Sequence, residues 1–214
     1  MRRGIINNII ITILIFTISL FLTSCKDNKN NSNNNHPIVC IYLTNGMKIK
    51  LELYEDIAPI TVEHFLKLVD EDYYDGTIFH RVIQDFMIQG GGYIIKYSET
   101  EKKNLVTKNP KPCDSIVGEF SENGYENDIM HLPGVISMAR SDDYNSATGQ
   151  FFICSTDTPS LDGRYAAFGK CIDQESLNNV IAISNLETFK MSANFQYMPK
   201  DVMNYRIDTI VRLK

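Results

Sequence analysis

The chain has 214 residues, of which 43% are hydrophobic and 22% charged, and its formal net charge is −5. This length fits one domain with a short extension, and the composition is ordinary for a globular protein with a buried core. An acidic chain argues against nucleic acid as the main partner, because phosphate binding requires a basic face.

The N-terminus has the features of a targeting segment. The positively charged Met1–Arg3 precedes a mostly apolar run, Ile5–Leu22, as in a secretory signal peptide. The sequence Leu22-Thr23-Ser24-Cys25 resembles the bacterial lipobox, which implies that Cys25 becomes the first residue and carries lipid. An uncleaved transmembrane anchor is the alternative, since about 18 apolar residues are close to the minimum for crossing a bilayer. We expect residues 1–24 to be a lipoprotein signal peptide.

Residues 25–36 connect this segment to the rest of the chain. After Cys25, Lys26–His36 contains no apolar residue and is rich in asparagine, so it cannot bury enough surface to fold. We therefore expect a disordered tether over residues 25–36, with the lipid on Cys25 holding the protein to a membrane. Both interpretations of the N-terminus place the rest of the chain outside the cytoplasm, in the bacterial cell envelope.

Residues 37–214 have the pattern of one β-rich domain. Ile38–Leu43 and the alternating Met47–Leu53 predict a β-hairpin, because Thr44-Asn45-Gly46 between them is a tight-turn sequence. Pro59 predicts the first turn of a helix. Apolar residues then recur on one helical face, which predicts a stripe against the core, at Val62, Phe65, Leu66 and Val69.

The second half of the domain contains short apolar runs and a second helix signal. Asp173 is a candidate N-cap for that helix, with Leu177, Val180 and Ile181 on its inner face. Residues 96–115 are polar and predict a surface loop. The strands predicted after the first hairpin are Thr77–Ile83, Gly134–Ala139, Gln150–Cys154 and Tyr205–Leu213. Many short strands, with one helix early and one late, favour a closed barrel with a helix over each open end.

Three blocks of sequence carry the candidate chemistry. Phe79–Gly91 holds Arg81 within an apolar run, followed by Phe, Met and Gln; Gly149–Ile153 and Leu161–Gly169 lie downstream. Together they bring one fixed cation, two amide side chains and several aromatic rings within reach of a single site. Such a set suits an apolar ring beside a polar backbone amide, which describes a proline and its peptide bond.

These blocks, in this order, closely resemble the cyclophilin family of peptidyl-prolyl cis-trans isomerases. The resemblance runs from about Ile38 to about Lys170 and on toward the C-terminus. It implies a mainly β fold, a closed eight-stranded antiparallel β-barrel capped by two α-helices. It also implies that residues 37–214 form a cyclophilin-like isomerase domain.

The resemblance assigns a role to each candidate site residue. Arg81 is expected to be catalytic, because its guanidinium is always protonated and presents a rigid fork of donors. An ion pair on a strand edge is the alternative for an isolated arginine. For the apolar residues the ordinary role would be core packing, and for the glutamines surface exposure. The residues implied to bind substrate are Phe86, Met87, Gln89, Ala139, Arg140, Gln150, Phe152, Leu161 and Tyr165.

Some positions depart from the animal-type cyclophilin pattern. Arg140 stands where that pattern has Asn, Ser160 where the family often has Trp, and Tyr165 where many members have His. Ala139 and the backbone of Arg140 are still expected to contact peptide, whereas an Asn side-chain contact is lost. Bacterial-type members commonly differ at these places, so isomerase activity is expected to survive. The absence of tryptophan argues against cyclosporin binding.

We expect neither a metal nor a cofactor. Rotation about an X-Pro bond makes and breaks no covalent bond, and no C-x-x-C pair supports a zinc or thioredoxin-like site. Within the resemblance Cys40, Cys154 and Cys171 fall on or beside core strands. They are expected to be small core residues rather than members of disulfides.

The expected function is isomerisation of X-Pro bonds, assisting the folding of exported proteins. Its partners would be proline-containing polypeptides, and we expect a monomer. One alternative is a proline-peptide binding module or holdase chaperone without significant turnover. Another is a lipoprotein whose domain only scaffolds a surface complex through residues 96–115. The intact set of Arg81, Phe86, Gln89 and Phe152 favours the enzyme.

Overall fold

The computed structural model of the protein describes residues 36–190 and 195–213. The predicted signal peptide, the predicted lipid site Cys25 and residues 26–35 of the predicted tether lie outside the described residues, so those predictions stay predictions. The described chain is mainly β with two α-helices. Neither helix of this part is long and apolar enough to cross a membrane.

The helices and strands agree with the predicted order of elements and add several strands. Helix α1 is Pro59–Asp70 and helix α2 is Gln174–Ser184. Single 3-10 turns occupy Ser121–Asn123 and Pro159–Leu161. The strands are β1 Ile38–Leu43, β2 Lys48–Leu53, β3 Arg81–Ile83, β4 Met87–Gly90, β5 Tyr93–Ser98, β6 Lys103–Lys108, β7 Val135–Met138, β8 Phe151–Cys154, β9 Ala167–Cys171, β10 Thr188–Phe189, β11 Met198–Pro199 and β12 Ile207–Arg212.

Eight of these strands form one antiparallel sheet in the order β12-β1-β2-β9-β7-β8-β4-β3. The sheet curls strongly but stays an open half-barrel, so the prediction of a closed barrel was wrong. Within the described ranges no ladder joins the edge strands β3 and β12. Strand β3 has only three residues, and its Val82 N donates to Tyr197 O at 2.9 Å rather than to β12. The segment before it reaches the far edge through just two backbone hydrogen bonds, from Gly76 N to Ile207 O at 2.9 Å and from Ile207 N to Thr77 O at 2.8 Å.

The prediction of a surface loop over residues 96–115 was also wrong in part. Strands β5 and β6 pair as an antiparallel hairpin, from Tyr93 opposite Lys108 to Ser98 opposite Lys103. Lys102 closes the turn with a positive φ of 49°. Hairpin residues are exposed or only half buried, so no apolar alternation announces the strands in sequence. The backbone pairing itself satisfies the polar groups of this segment.

Helix α1 lays its predicted stripe against the core, and all four residues of that stripe are buried. Phe65 lies at the centre, with its ring centroid 5.8 Å from Phe151 and 5.2 Å from Phe168. Burying one such ring is worth about 1.5–3 kcal/mol. This packing fixes strands β8 and β9 against the helix, and β8 carries one wall of the site described below.

The N-terminus of α1 is capped from a distant part of the chain. Ala58 provides no capping side chain. Instead the Glu119 carboxylate accepts hydrogen bonds from Ile60 N at 3.1 Å, Thr61 N at 2.7 Å and Thr61 Oγ1 at 2.7 Å. Glu119 is only 2% exposed. A buried anion at this point satisfies backbone N–H groups and complements the positive end of the helix dipole.

Helix α2 begins as predicted. The Asp173 carboxylate accepts a hydrogen bond from Ser176 N at 2.8 Å, which confirms it as the N-cap. Its inner face is shifted slightly from the prediction, because Val180 and Ile183 are buried whereas Leu177 and Ile181 are half buried.

The described cysteines are all free, and three of them agree with the predicted core role. Cys40, Cys154 and Cys171 are buried, and Cys113 is half buried. Burial raises the pKa of the Cys154 thiol to about 11 and that of Cys171 to about 12. These thiols are therefore neutral at physiological pH and act as small apolar side chains.

Candidate active site

Sheet register explains why side chains from separate sequence blocks meet. Arg81 on β3 lies directly opposite Gln89 on β4, and Gln89 lies opposite Phe152 on β8. Directly opposed residues of neighbouring strands share one face of a sheet. One row across three strands therefore presents a cation, an amide and an aromatic ring to the same side.

This row lies in the wall of a cavity of about 240 Å³, called here the active-site cavity. It brings together nine of the ten residues predicted from the sequence. The remaining one, Gln150, lines the neighbouring cavity instead. The residues lining the active-site cavity are Arg81, Phe86, Met87, Gln89, Ala139, Arg140, Phe152, Leu161 and Tyr165.

The apolar part of the cavity is a small cluster separate from the main core. Met87 and Phe152 are almost fully buried, and the half-buried Phe86, Leu161 and Tyr165 pack around them. The Phe152 and Tyr165 rings meet edge to face, with centroids 5.6 Å apart. Rings held in this way leave an apolar notch of fixed shape, which suits a compact apolar ring such as that of proline.

The guanidinium of Arg81 sits half-buried at this notch without a counter-charge. In the described ranges it forms no ion pair with a carboxylate. Its Nη1 makes only long contacts, 3.7 Å to Met87 Sδ and 3.5 Å to Gln89 Oε1, and its Cζ lies 5.9 Å from the Phe86 ring centroid. Burial lowers the pKa of Arg81. Arginine nevertheless stays protonated, so a partly desolvated cation with unused donors faces the cavity.

The two glutamines hold one another at the edge of the cavity. Gln89 Nε2 donates to Gln150 Oε1 at 3.1 Å. The second polar atom of each amide, Gln89 Oε1 as an acceptor and Gln150 Nε2 as a donor, can still bind a ligand. Gly92 makes room for Gln150, since a Cβ at Gly92 would lie 2.5 Å from the Gln150 side chain. A side chain at Gly92 would therefore displace the Gln150 side chain from its place beside Gln89.

Arg140 lines the cavity, but its side chain is already engaged. Its Nε and Nη2 donate to the backbone oxygen of Arg164 at 3.1 and 2.8 Å, and Nη1 donates to Ser141 O at 2.8 Å. The guanidinium also lies 4.7 Å from the ring centroid of Tyr165 and 4.8 Å from that of Tyr144. Arg140 therefore braces Tyr165, and most of its donors are spent within the protein.

A buried histidine packs against the Phe152 ring of the notch. His131 stacks on Phe152, with centroids 5.9 Å apart and planes 17° apart. Its Nδ1 lies 2.9 Å from Asp162 Oδ1, which also accepts the His131 backbone N–H at 2.7 Å. Burial lowers the pKa of His131, although Asp162 opposes that effect. Asp162 lies 31 positions after His131, so the sequence alone does not predict this contact.

His80, next to Arg81 in sequence, is buried and lies outside the cavity lining. Its ring lies 4.6 Å from the Tyr93 ring centroid and 6.5 Å from that of Phe195. Burial is the main cause that lowers the pKa of His80 to about 4.

This shift predicts an acid-sensitive fold. In the unfolded chain His80 takes up a proton near pH 6.5, whereas in the folded protein it does so only near pH 4. The contribution of neutral His80 to the free energy of unfolding is therefore complete above pH 6.5 and is lost as the pH falls toward 4. We expect a loss of about 1 kcal/mol between pH 7.5 and 5.5. Urea unfolding of wild type and His80→Phe at both pH values checks this. The other histidines are common to both proteins, so an equal pH dependence would contradict the assignment.

Comparisons with known proteins identify the family of the chain. The family model for cyclophilin type peptidyl-prolyl cis-trans isomerases (CLD) matches residues 39–206. A peptidyl-prolyl cis-trans isomerase of Acinetobacter baylyi is 36% identical over 172 residues, covering 78% of this chain and 84% of the relative. An isomerase of Streptomyces antibioticus is 38% identical over 153 residues, covering 68% of this chain and 82% of the relative.

Solved structures give the same result. The crystal structure of a Cryptosporidium parvum cyclophilin type isomerase has a TM-score of 0.62 and 27% identity, covering 84% of this chain and 98% of its own. A second structure of that protein, obtained in the presence of the dipeptide Ala-Pro, has a TM-score of 0.62 and 29% identity, covering 83% of this chain and 99% of its own. With a family model over most of the sequence, the chain belongs to the cyclophilin-type family and is a peptidyl-prolyl cis-trans isomerase.

Proposed function

We propose that isomerisation takes place in the active-site cavity, with the proline ring in the notch around Phe152 and with Arg81 as the catalytic residue. The observation that carries this proposal is the unpaired, half-buried guanidinium beside an apolar notch. A proline and its peptide bond combine an apolar ring with a polar amide, which are the two features that this wall combines.

The reaction sets a clear energetic requirement. Amide resonance gives an X-Pro bond a rotational barrier of about 18–20 kcal/mol, and unassisted exchange takes tens to hundreds of seconds. Raising a rate of about 0.01 per second to about 1000 per second requires roughly 7 kcal/mol. Rotation makes and breaks no covalent bond, so electrostatic stabilisation and positioning must supply this difference.

Arg81 can supply a large part of it. When the bond twists, the prolyl nitrogen becomes pyramidal and gains a lone pair that neither planar ground state has. A hydrogen bond from Arg81 to that nitrogen would therefore stabilise the transition state selectively. The buried setting strengthens the interaction, because less water screens it. The Gln89 and Gln150 amides would hold the peptide backbone while the bond turns.

The direct test is the rate of cis-trans exchange in a tetrapeptide with a central Ala-Pro bond, measured with the purified full-length chain. A proline-peptide binding module or holdase without significant turnover is the second candidate, since the same notch would also bind a proline at rest. A catalysed exchange rate favours the enzyme in this cavity. Peptide binding without any catalysed exchange would favour the second candidate.

We also propose that the enzyme is exported and held to a membrane by lipid on Cys25. This proposal rests on the charged Met1–Arg3, the apolar run Ile5–Leu22 and the lipobox-like sequence before Cys25. Its clients would then be proline-containing polypeptides that fold outside the cytoplasm.

Cys25→Ser is expected to abolish the lipid on the protein. Mass measurement of the membrane-extracted protein provides the direct readout, with Cys113→Ser as the matched control that retains the lipid. An unmodified mature N-terminus, or an uncleaved precursor in the membrane, would contradict lipidation.

A further inference from the structure

Three neighbouring cavities share lining residues in series, and together they are called here the groove. The active-site cavity shares Gln89, Ala139 and Arg140 with a second cavity of about 280 Å³. The second cavity shares Thr148 and Gln150 with a third cavity of about 230 Å³. The third cavity is completed by the end of the β5–β6 hairpin and the segment after it, including Lys108, Asn109, Lys111 and Cys113.

The groove is cationic although the protein is acidic. None of the three linings contains aspartate or glutamate, whereas together they contain Arg81, Arg140, Lys108 and Lys111. The net charge of the whole chain is −5. The concentration of positive charge here is therefore a local feature rather than a result of composition.

The lysines at the far end of the groove have no carboxylate partner. In the part of the chain that the structure describes, neither Lys108 nor Lys111 forms an ion pair. Lys111 Nζ donates instead to the backbone oxygen of Asp72. Asp114 and Glu71 act electrostatically on the Cys113 thiol, but neither lines the cavity.

We propose that this groove selects polypeptides in which an acidic residue lies to one side of the proline, with its carboxylate between Lys108 and Lys111. The inference rests on the proposed function, because the proline must occupy the active-site cavity. A middle cavity of about 280 Å³, taken as equally long and wide, is roughly 6–7 Å across, which corresponds to about two residues of extended chain between the proline and the acidic residue. The acidic residue is therefore expected at that separation, on one side only, because the third cavity lies at only one end of the groove.

The size of the expected preference for an acidic residue depends on how exposed Lys108 and Lys111 are to solvent. Lys108 and Lys111 are exposed, so solvent and salt screen their attraction for a carboxylate. We expect a preference of about 5-fold in kcat/KM over an uncharged residue at low salt, decreasing as salt rises. Such a preference would act on choice of client rather than on the chemistry of rotation.

The experiment uses two pairs of Ala-Pro peptides and the full-length chain. In one pair, Glu or Gln stands three residues before the proline; in the other pair, Glu or Gln stands three residues after it. The inference predicts that Glu exceeds Gln in one pair and equals Gln in the other. In the double variant Lys108→Met, Lys111→Met the preference should fall below about 2-fold at unchanged turnover of the Gln peptides.

Lys170→Met is the matched control, since Lys170 is exposed on β9 and lines none of the three cavities. It should keep the full preference. Equal turnover of Glu and Gln peptides by wild type, or a preference that survives in the double variant, would overturn the inference while leaving the isomerase assignment intact. Absence of turnover with every peptide would instead overturn the proposed function, and the inference with it.

Discussion

Arg81→Ala is expected to lower kcat/KM for an Ala-Pro peptide by about 100- to 1000-fold, equivalent to roughly 3–4 kcal/mol of transition-state stabilisation. The guanidinium is the half-buried cation at the notch, and alanine removes all of its donors. Because Arg81 makes only long contacts with Met87 and Gln89, the free energy of unfolding should change by less than about 1 kcal/mol. Exchange of the peptide measured by NMR gives the rate, and urea unfolding gives the stability.

Two further variants sharpen this experiment. Arg81→Lys keeps the charge but loses the planar fork of donors, so we expect an activity between those of wild type and Arg81→Ala. Arg212→Ala removes an arginine that pairs with Asp70 outside the active-site cavity, and it should leave the rate unchanged. An Arg81→Ala protein that keeps more than about a fifth of the wild-type rate would contradict the catalytic role.

The same variant separates the enzyme from the holdase alternative. Arg81 is proposed to act mainly on the twisted bond, whereas the notch around Phe152 would bind the planar ground states. Peptide affinity should therefore fall much less than the rate in Arg81→Ala. A proportional loss of both would mean that Arg81 serves binding, and that rotation is promoted by another group.

The sequence predicted those features that depend on local patterns or on long motifs. The stripe on α1 and the Asp173 cap follow from spacing within one helix, and both are present in the structure. The residues around the active-site cavity were found only because the three blocks resemble a known family. Local spacing alone could not have brought Phe152 beside Arg81, since their row depends on the order β3-β4-β8 in the sheet.

The features that were missed depend on contacts between distant residues or on backbone pairing. Nothing near His131 in sequence indicates that Asp162 will meet its ring. The β5–β6 hairpin has no buried face, so its strands lack the alternation that marks a strand in sequence. Whether the sheet closes depends on the three-residue length of β3, and element boundaries are poorly defined by pattern.

Glu119→Ala is expected to lower the free energy of unfolding by about 3 kcal/mol. The change leaves Ile60 N, Thr61 N and the Thr61 hydroxyl without their acceptor, and Thr61 is fully buried, so water cannot easily replace the carboxylate there. It also removes the negative charge that complements the helix dipole. Since α1 packs against β8 through Phe65 and Phe151, loosening its first turn should affect the whole domain rather than a local segment.

Urea unfolding followed by far-ultraviolet circular dichroism measures this loss directly, as the chain contains no tryptophan for fluorescence. Glu119→Gln keeps one oxygen acceptor but no charge, so its destabilisation should be smaller, about 1–2 kcal/mol. Glu122→Ala is the matched control, because Glu122 is exposed, so losing its 3.6 Å ion pair with Arg164 and the hydrogen bond that it accepts from Tyr144 Oη at 2.9 Å should cost little. If Glu119→Ala and Glu122→Ala unfolded at the same urea concentration, the buried carboxylate would not be the cap that holds α1, and the orphaned N–H groups would have found other acceptors.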